Sequence, residues 1–179
     1  IMQIGAFAVV VIFQPELRNM LEKVGHSKVG KILDFSNIQN SEEGEELAVS
    51  EIAEAVMNMS ATRTGALIVL ERETGVGEYA ESGTKIDAHV SAALLENIFV
   101  NKTPLHDGAV MIRSRRIYSA ACVLPLTNNK NLSRDLGTRH RAALGMSENS
   151  DAIVVVVSEE TGAISLAVDG ELSRGFTPE

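Results

Sequence analysis

The sequence predicts an α/β fold, in which helices flank a central mixed β-sheet. Apolar runs rich in β-branched residues, which are typical of buried strands, alternate with runs whose apolar residues recur at helical spacing. No repeat or linker divides the 179 residues, and a chain of that length is enough for one domain with a sizeable core but short for two. We therefore predict a single α/β domain over residues 1–179.

Six segments have the composition of strands. They are Gly5–Phe13, Thr64–Glu71, Gly108–Ile112, Ile117–Leu124, Ala152–Val157 and Ala163–Ala167. Residues 113–116 separate the third segment from the fourth, which predicts a hairpin, and Thr161-Gly162 predicts a turn between the last two. The AIVVVV run of the fifth segment lacks polar alternation, which is typical of a fully buried strand.

Four further segments have the pattern of helices. They are Pro15–Val24, Leu47–Met59, Ser91–Phe99 and Arg141–Met146. Pro15 suits the first turn of the first helix, and Ser91 is a suitable N-cap for the third. The acidic stretch Asn37–Glu46 and the stretch Gly75–Thr84, rich in glycine and charge, are predicted to be loops.

Composition excludes several functional classes. With a net charge of −8, 4% aromatic residues and no Trp, the chain is not expected to bind nucleic acid or an anionic membrane surface. The single Cys122 excludes a disulfide framework and a cysteine-based zinc site. No stretch reaches the roughly 20 apolar residues of a membrane-spanning helix. Because the chain starts at Ile1 rather than Met, we expect a soluble fragment of a longer polypeptide whose upstream membrane segment is missing.

Basic residues are concentrated in one segment of the chain. Between Gly108 and Met146 seven basic residues stand against one acid, a local charge of +6, which leaves −14 on the rest because the total is −8. The seven are Arg113, Arg115, Arg116, Lys130, Arg134, Arg139 and Arg141. For the three arginines at the predicted hairpin, a solvated basic loop is the simpler interpretation.

Arg139-His140-Arg141 is the part of that segment that most favours a phosphate site. It follows Gly137-Thr138 at the predicted start of a helix. Backbone N–H groups, a hydroxyl, the helix dipole and two guanidinium groups would converge there. That combination suits a polyphosphate.

Two acidic segments are further candidates. Asp107-Gly108-Ala109 places a carboxylate at the entrance to an apolar strand with little side-chain bulk beside it, so a backbone can approach a ligand closely. Ser158-Glu159-Glu160 closes the AIVVVV strand. Each has an ordinary alternative, because Asp-Gly is a common turn and the second segment equally fits a hairpin turn with solvated acids.

Together these three segments resemble the diadenylate cyclase domain family. Asp107-Gly108-Ala109 matches the DGA motif of that family, and Arg139-His140-Arg141 matches its RHR motif. The surrounding sequence is also similar to that of the family. The similar segments are LPLT at Leu124–Thr127, LGTRHRAALG at Leu136–Gly145 and VVSEETGAIS at Val156–Ser165. The opening VIFQPELRNMLEKVG at Val11–Gly25 resembles the membrane-associated CdaA branch, and the resemblance continues to about Arg174.

The resemblance implies a nucleotidyltransferase that condenses two ATP molecules into the second messenger cyclic di-AMP and releases two pyrophosphates. The implied catalytic residues are Asp107, Gly108, Ala109, Arg139, His140 and Arg141. The implied nucleotide contacts are Gly65, Leu67, Tyr118, Val123, Leu124, Gly137, Thr138, Ser158 and Glu159. The implied metal ligands are Asp107, His106 and Glu160.

These assignments place different residues at the 3′-hydroxyl and at the triphosphate of the nucleotide. Asp107 would bind a divalent cation (Mn²⁺, Mg²⁺ or Co²⁺) that activates the attacking 3′-hydroxyl, and a His ligand would favour Mn²⁺ or Co²⁺ over Mg²⁺. The RHR segment would hold the triphosphate. Val123 stands where relatives of the CdaA type can carry an aromatic residue, so adenine would rest on aliphatic contacts.

The resemblance also implies partners. Since cyclic di-AMP has two identical halves and one protomer supplies one ATP site, two protomers must face each other in a homodimer, at least transiently. The full-length protein is expected at the cytoplasmic face of the cell membrane, with a YbbR-domain protein and phosphoglucosamine mutase as regulators.

Two other functions compete with the cyclase. One is a catalytically silent adenine-nucleotide sensor on the same fold, and the presence of Asp107 and both RHR arginines counts against it. The other is a binder of nucleic acid or another anionic polymer through the basic segment. The overall acidity and the scarcity of aromatic residues count against that function.

Overall fold

A computed structural model describes residues 37–129 and 136–176. The chain divides into two compact units, Ile1–Glu42 and Glu43–Glu179, and every strand described below belongs to the second. The predicted strand Gly5–Phe13 and the predicted helix Pro15–Val24 lie outside the described residues. Within the described ranges no helix is both long and apolar enough to cross a lipid bilayer.

Helices and strands are mixed along the described chain. The helices are α1 (Asn37–Ala61), α2 (Gly77–Glu81), α3 (Ala92–Ile98) and α4 (Thr138–Asn149). The strands are β1 (Ala66–Leu70), β2 (Thr84–His89), β3 (Ala109–Arg113), β4 (Arg116–Cys122), β5 (Ile153–Val157), β6 (Ile164–Val168) and β7 (Glu171–Phe176).

The strands form one sheet in the order β2-β4-β3-β1-β5-β6-β7. β1 and β3 are parallel, with Ile68 opposite Val110, and each of the other neighbouring pairs is antiparallel. The predicted mixed sheet flanked by helices is therefore confirmed. The predicted hairpin is confirmed as well, because Arg113 pairs with Arg116 across a two-residue turn.

The sheet separates two apolar layers. One layer packs against α1 and α3 and includes Met59 and Leu95, both almost completely buried. The other packs against α2 and α4 and includes Ala80 and Met146. Removing a large apolar side chain from water contributes about 1.5–3 kcal/mol, so the two layers hold the helices on opposite faces of the sheet.

β5 contributes to both layers. Val155 and Val157 belong to the layer with α1, whereas Val154 and Val156 belong to the layer with α4. Because successive side chains of a strand point to opposite faces, a strand covered on both sides needs an unbroken apolar run. The prediction that AIVVVV forms a buried strand is confirmed for Val154–Val157, while Ile153 at the start of β5 is half-buried.

Two loop predictions are wrong. Asn37–Glu46, predicted to be an acidic surface loop, lies within α1. Glutamate is a good helix former, so high charge alone did not indicate a loop there. Gly75–Thr84 contains the five-residue helix α2, whose Ala80 is buried against the sheet.

The sequence reasoning also missed β2 and β7, the two outermost strands of the sheet. Both are largely exposed and carry charged residues such as Lys85 and Glu171. An edge strand is commonly marked by charge rather than by an apolar run, so a search for apolar runs passes over it. The Ser91 cap, in contrast, is confirmed, since the Ser91 side chain accepts a hydrogen bond from the Leu94 N–H.

Candidate active site

Four chain segments meet at one edge of the sheet. The parallel strands β1 and β3 both begin there, and the antiparallel strands β4 and β5 both end there. Ala66 pairs with Val157 at this edge, and Ala109 pairs with Cys122. We call it the site edge and define it by Gly65, Asp107–Ala109, Cys122–Leu124 and Ser158–Glu160. The fold therefore brings two of the three motif segments to one place.

Gly108 is fixed by the backbone of the neighbouring strand. Its φ is +114°, and a Cβ atom at this position would lie 2.7 Å from the carbonyl oxygen of Cys122 and 2.8 Å from the carbonyl carbon of Ala121. Ala121 itself has a φ of +57°, within an irregular stretch of the β3–β4 ladder. The sequence suggested that the missing side chain makes room for a ligand. The structure shows that it makes room for β4, which fixes the position of the adjacent Asp107.

Asp107 presents an exposed carboxylate just before β3. Among the described residues, no hydrogen bond or ion pair engages it. The neighbouring His106 is half-buried, with Nδ1 2.6 Å from the Thr103 carbonyl oxygen. If Nδ1 donates to that carbonyl, Nε2 carries the lone pair, which is the form of imidazole that binds metals.

Glu160, the third predicted metal ligand, is exposed in the turn between β5 and β6. It lies at the same edge as Asp107. Within residues 37–129 and 136–176, however, no group of three or more His, Cys, Asp or Glu side chains is close enough together to hold a metal ion. The donor chemistry of His106, Asp107 and Glu160 suits a divalent cation, and their joint action as ligands stays a prediction.

Ser158-Glu159-Glu160 forms a hairpin turn. The Ser158 N–H donates to the Ala163 carbonyl over 3.0 Å, and the Gly162 N–H donates to the Ser158 carbonyl over 2.8 Å. The Ser158 hydroxyl accepts from the Thr161 N–H. The ordinary interpretation of this segment as a turn is thus correct, and the turn projects its acids at the site edge.

The helix that carries the RHR segment begins beside this edge. α4 has Gly137 as its N-cap residue, and the Arg141 N–H donates to the Gly137 carbonyl. The Arg141 carbonyl in turn accepts from the Thr127 N–H over 3.1 Å. Gly145 lies directly against the backbone of residues 125–127, which leaves no space there for a side chain. The first turn of α4 is therefore tied to the LPLT segment that follows β4.

Arg139 joins the RHR segment to the site edge. Its Nη1 lies 2.8 Å from Oε2 of Glu159, and its side chain is only 22% exposed. Beneath this pair, a Cβ atom on Gly65 would lie 2.7 Å from Nη1 of Arg139 and 3.0 Å from Cβ of Glu159. The ion pair thus occupies the space that Gly65 leaves open at the start of β1.

The three residues of the RHR segment have different environments. Arg141 is exposed, whereas His140 is buried within the first turn of α4. Burial, together with the charge of Arg174, lowers the pKa of His140 below its usual value. A neutral, buried imidazole adds no charge to the site, so the positive charge there comes from the two arginines.

The predicted adenine-binding residues are spread more widely. Leu67 and Leu124 are buried in the layer that packs against α4, while Val123 is 70% exposed at the end of β4. Tyr118 is not brought to the site edge. The centroid of its ring lies 4.4 Å from Cζ of Arg113, at the far end of β3.

The hairpin arginines are paired within the fold, away from the RHR segment. Nε of Arg113 lies 2.8 Å from Glu71, and Nε of Arg116 lies 2.7 Å from Asp87. Arg116 also lowers the pKa of Asp87. These two members of the basic segment therefore do not add to the positive charge of Arg139 and Arg141. Lys130 and Arg134 lie outside the described residues.

Sequence reasoning did not predict that Gly65 and Glu159 lie against the guanidinium group of Arg139. Both were predicted to contact the nucleotide, which stays a prediction, and the structure places both beside the Arg139 guanidinium group. Gly65 and Glu159 are far apart in the chain and meet because β1 pairs with β5, and Arg139 reaches them from the first turn of α4. No local spacing could have revealed that contact.

Comparison with known proteins gives the class of the domain. Residues 53–172 match the family described as DisA bacterial checkpoint controller nucleotide-binding, abbreviated DAC. That range covers most of the described sheet and all three motif segments. The chain belongs to this family.

Curated relatives and solved structures agree with that assignment. The chain is 46% identical over 175 residues to the cyclic di-AMP synthase CdaA of Bacillus subtilis, a match that covers 98% of this chain. It is 47% identical over 176 residues to a diadenylate cyclase of Listeria monocytogenes. In both cases it spans 63% of the length of the relative.

Two crystal structures have a similar fold. One is a double cysteine mutant of DacA from Staphylococcus aureus, with a TM-score of 0.74 and 47% identity over 75% of this chain and 90% of that one. The other is a hypothetical membrane spanning protein from Bacillus cereus, with a TM-score of 0.69 and 39% identity over 96% of this chain and 92% of that one. Both are similar to this chain in fold as well as in sequence.

Proposed function

We propose that the protein is a diadenylate cyclase, which converts two ATP molecules into cyclic di-AMP and two pyrophosphates. The observation that carries this proposal is the meeting of the DGA segment and Arg139 at one sheet edge, in a chain that belongs to the DAC family. The names of the curated relatives, cyclic di-AMP synthase and diadenylate cyclase, support the same activity.

In this reaction each 3′-hydroxyl attacks the α-phosphorus of the other ATP. A P–O bond to the 3′-oxygen forms, the bond to the pyrophosphate oxygen breaks, and the hydroxyl proton is lost. Because ATP itself supplies the leaving group, the protein contributes mainly positioning and neutralisation of charge. The site edge suits that task, since the carboxylate of Asp107 and the guanidinium group of Arg139 lie at different points along it.

The triphosphate is bound by Arg139, Arg141 and the first turn of α4. The first N–H groups of a helix have no partner within the helix, and with the helix dipole they favour an anion. Gly137 and Thr138 are at this end of the helix. Two guanidinium groups provide forked donors that match phosphate oxygens.

Asp107, with His106 and Glu160, would hold a divalent cation. Such a cation supplies Lewis-acid polarisation of a phosphoryl oxygen and a lower pKa for the attacking hydroxyl. Mn²⁺ or Co²⁺ is preferred to Mg²⁺ if His106 is a ligand. Asp107 would provide a carboxylate oxygen to this cation. The packing of Gly108 against the backbone of β4 fixes the chain beside that carboxylate.

Two protomers act together in this proposal. Each provides one ATP site, and a twofold axis between them lets each 3′-hydroxyl reach the other α-phosphate. Specific activity should then fall as the protein is diluted through the nanomolar range. Activity that stays strictly proportional to protein concentration would argue against transient pairing.

The full-length protein is proposed to act at the membrane. The CdaA name of one relative and the printed description of the Bacillus cereus structure as a membrane spanning protein support this location. The YbbR-domain protein and phosphoglucosamine mutase that the resemblance implies as regulators stay predictions.

One incubation tests the activity. Purified protein is mixed with ATP and with Mn²⁺, Mg²⁺ or Co²⁺ in turn, and the products are identified by chromatography and mass spectrometry. The cyclase predicts cyclic di-AMP and pyrophosphate, and it predicts neither without a divalent cation. ATP binding without any product, under all three metals, would instead indicate the silent nucleotide sensor.

A further inference from the structure

The carboxylate of Glu159 forms an ion pair with the guanidinium group of Arg139. It carries the same sign of charge as a triphosphate, so direct contact with the phosphates would be repulsive. Its Oε2 lies 2.8 Å from Nη1 of Arg139. We propose that Glu159 and Gly65 are positioning residues that hold the Arg139 guanidinium in place for the triphosphate. This inference rests on the proposed function, because it takes Arg139 as a triphosphate contact.

The geometry at Gly65 supports the proposal independently. A Cβ atom there would lie 2.7 Å from Nη1 and 3.0 Å from Cζ of Arg139, closer than side chains pack. The guanidinium therefore lies directly on the backbone at the start of β1. Glu159 follows the end of β5, the strand that pairs with β1, so it lies close to Gly65.

The chemistry of the guanidinium explains why one carboxylate does not block the site. Arginine has five N–H donors in a planar fork, and the Glu159 contact uses only Nη1. The remaining donors can bind phosphate oxygens. An arginine side chain loses much rotational freedom when it is immobilised, so a guanidinium that is already held binds its ligand at lower cost.

Affinity for a non-hydrolysable ATP analogue, measured by calorimetry, tests the role of Glu159. Glu159→Ala should raise the dissociation constant about fivefold, which corresponds to about 1 kcal/mol. Glu159→Gln should have a smaller effect, because an amide oxygen still accepts one hydrogen bond. Glu171→Gln, which removes an equal charge from an exposed position of β7, is the matched control and should leave affinity unchanged. Equal or tighter binding by Glu159→Ala would overturn the proposal, since the carboxylate would then be inert or a competitor.

A double-mutant cycle separates positioning from a structural role. If Glu159 acts only through Arg139, then Glu159→Ala should cause no further loss in an Arg139→Ala background. A loss of the same size in both backgrounds would overturn the proposal, because Glu159 would then act through the metal site or the fold. Thermal unfolding of each variant shows whether the fold is kept.

Gly65 provides a second, separate test. Gly65→Ala should weaken analogue binding at least as much as Glu159→Ala, because its methyl group displaces the guanidinium. Gly75→Ala is the control, since open space surrounds that position. Unchanged affinity in Gly65→Ala would contradict the proposal.

Failure of this proposal can be distinguished from failure of the proposed function. If the wild-type protein makes cyclic di-AMP while these variants bind the analogue normally, the cyclase function stands and the positioning role fails.

Discussion

The two edges of the sheet use their charged residues in different ways. At the edge opposite the site, where β1 and β3 end and β5 begins, Glu71, Arg113 and Asp151 have partners inside the fold. Arg113 and Glu71 form an ion pair at 2.8 Å, in which the Glu71 side chain is only 13% exposed. Asp151 accepts hydrogen bonds from the backbone N–H groups of Glu73 and Thr74, at 3.1 and 3.0 Å.

At the site edge the corresponding groups keep their binding capacity. No described residue pairs with the Asp107 carboxylate, and Glu159 engages one nitrogen of the Arg139 guanidinium. The contrast is between charges that pair within the fold and charges that stay available to a ligand. Charges at the opposite edge stabilise loops, while charges at the site edge are held in position but left able to bind a ligand.

Substitution of one aspartate at each edge should give opposite results. Asp107→Asn should lower cyclase activity at least about 100-fold, equivalent to about 3 kcal/mol of activation free energy, with the free energy of unfolding unchanged. Asp151→Asn should lower the free energy of unfolding by about 1 kcal/mol, because it weakens two hydrogen bonds to a charged acceptor, and should leave activity unchanged. Rates of cyclic di-AMP formation and urea denaturation measure the two effects.

Each aspartate variant serves as the control for the other. Full activity in Asp107→Asn would remove this carboxylate from the mechanism. A loss of activity in Asp151→Asn without a loss of stability would show that the two edges are not functionally separate.

Glycine substitutions should show the reverse asymmetry in stability, with the larger cost at the site edge. Gly108→Ala should lower the free energy of unfolding by about 3 kcal/mol, because φ is +114° and the new methyl group would meet the β4 backbone. Gly170→Ala, in the turn between β6 and β7, should cost only about 1 kcal/mol. There φ is +77°, and the nearest atom is Cγ of the Glu148 side chain, at 3.3 Å. Equal costs, measured by denaturant unfolding, would show that the β4 backbone moves away from residue 108.

The sequence predicted the interior of the fold better than its margins. An unbroken run such as AIVVVV has few alternatives to a strand buried on both faces, and the structure has β5 there. β2 and β7 lack such a signal because exposed edge strands carry charge and little apolar surface. Asn37–Glu46 shows the converse error, since acidic composition fits both a loop and an exposed helix.

The site was only partly predicted, because some of its contacts join residues that are far apart in the chain. The DGA and RHR segments were found because each has a local pattern of charge and small residues. The contact of Arg139 with Glu159 over Gly65 depends on which strands are neighbours, and that order is absent from any local spacing. Tyr118 shows the same limit, since only the hairpin register places its ring against Arg113.

Acid should lower the free energy of unfolding through His140 at a higher pH than through Asp151. Burial lowers the pKa of His140, so the unfolded chain binds a proton more readily than the folded one once pH falls below the usual imidazole value of about 6.5. Stability should therefore decline as pH falls from 7 through 6. Desolvation opposes ionisation of Asp151, but hydrogen bonds from backbone N–H groups still lower its pKa. Its contribution should therefore persist until pH falls below the usual carboxyl value of about 3.9.

Denaturant unfolding of His140→Gln across this pH range isolates the imidazole. The variant should lose the decline between pH 7 and 5 and keep the decline at lower pH. An identical pH profile in wild type and variant would show that another group accounts for the decline.

The smallest expected effect lies at the tip of the β3–β4 hairpin, at the opposite edge. Ser114 and Arg115 both have positive φ values, +47° and +64°, the signature of a type I′ turn. Asparagine tolerates this backbone conformation better than serine, and it does not add the unfolded-state entropy that glycine would. Ser114→Asn should raise the free energy of unfolding by about 0.5 kcal/mol, seen as a small increase in Tm, with no change in activity. A change in cyclic di-AMP production would mean that the hairpin tip communicates with the site edge, contrary to the division of roles between the two edges.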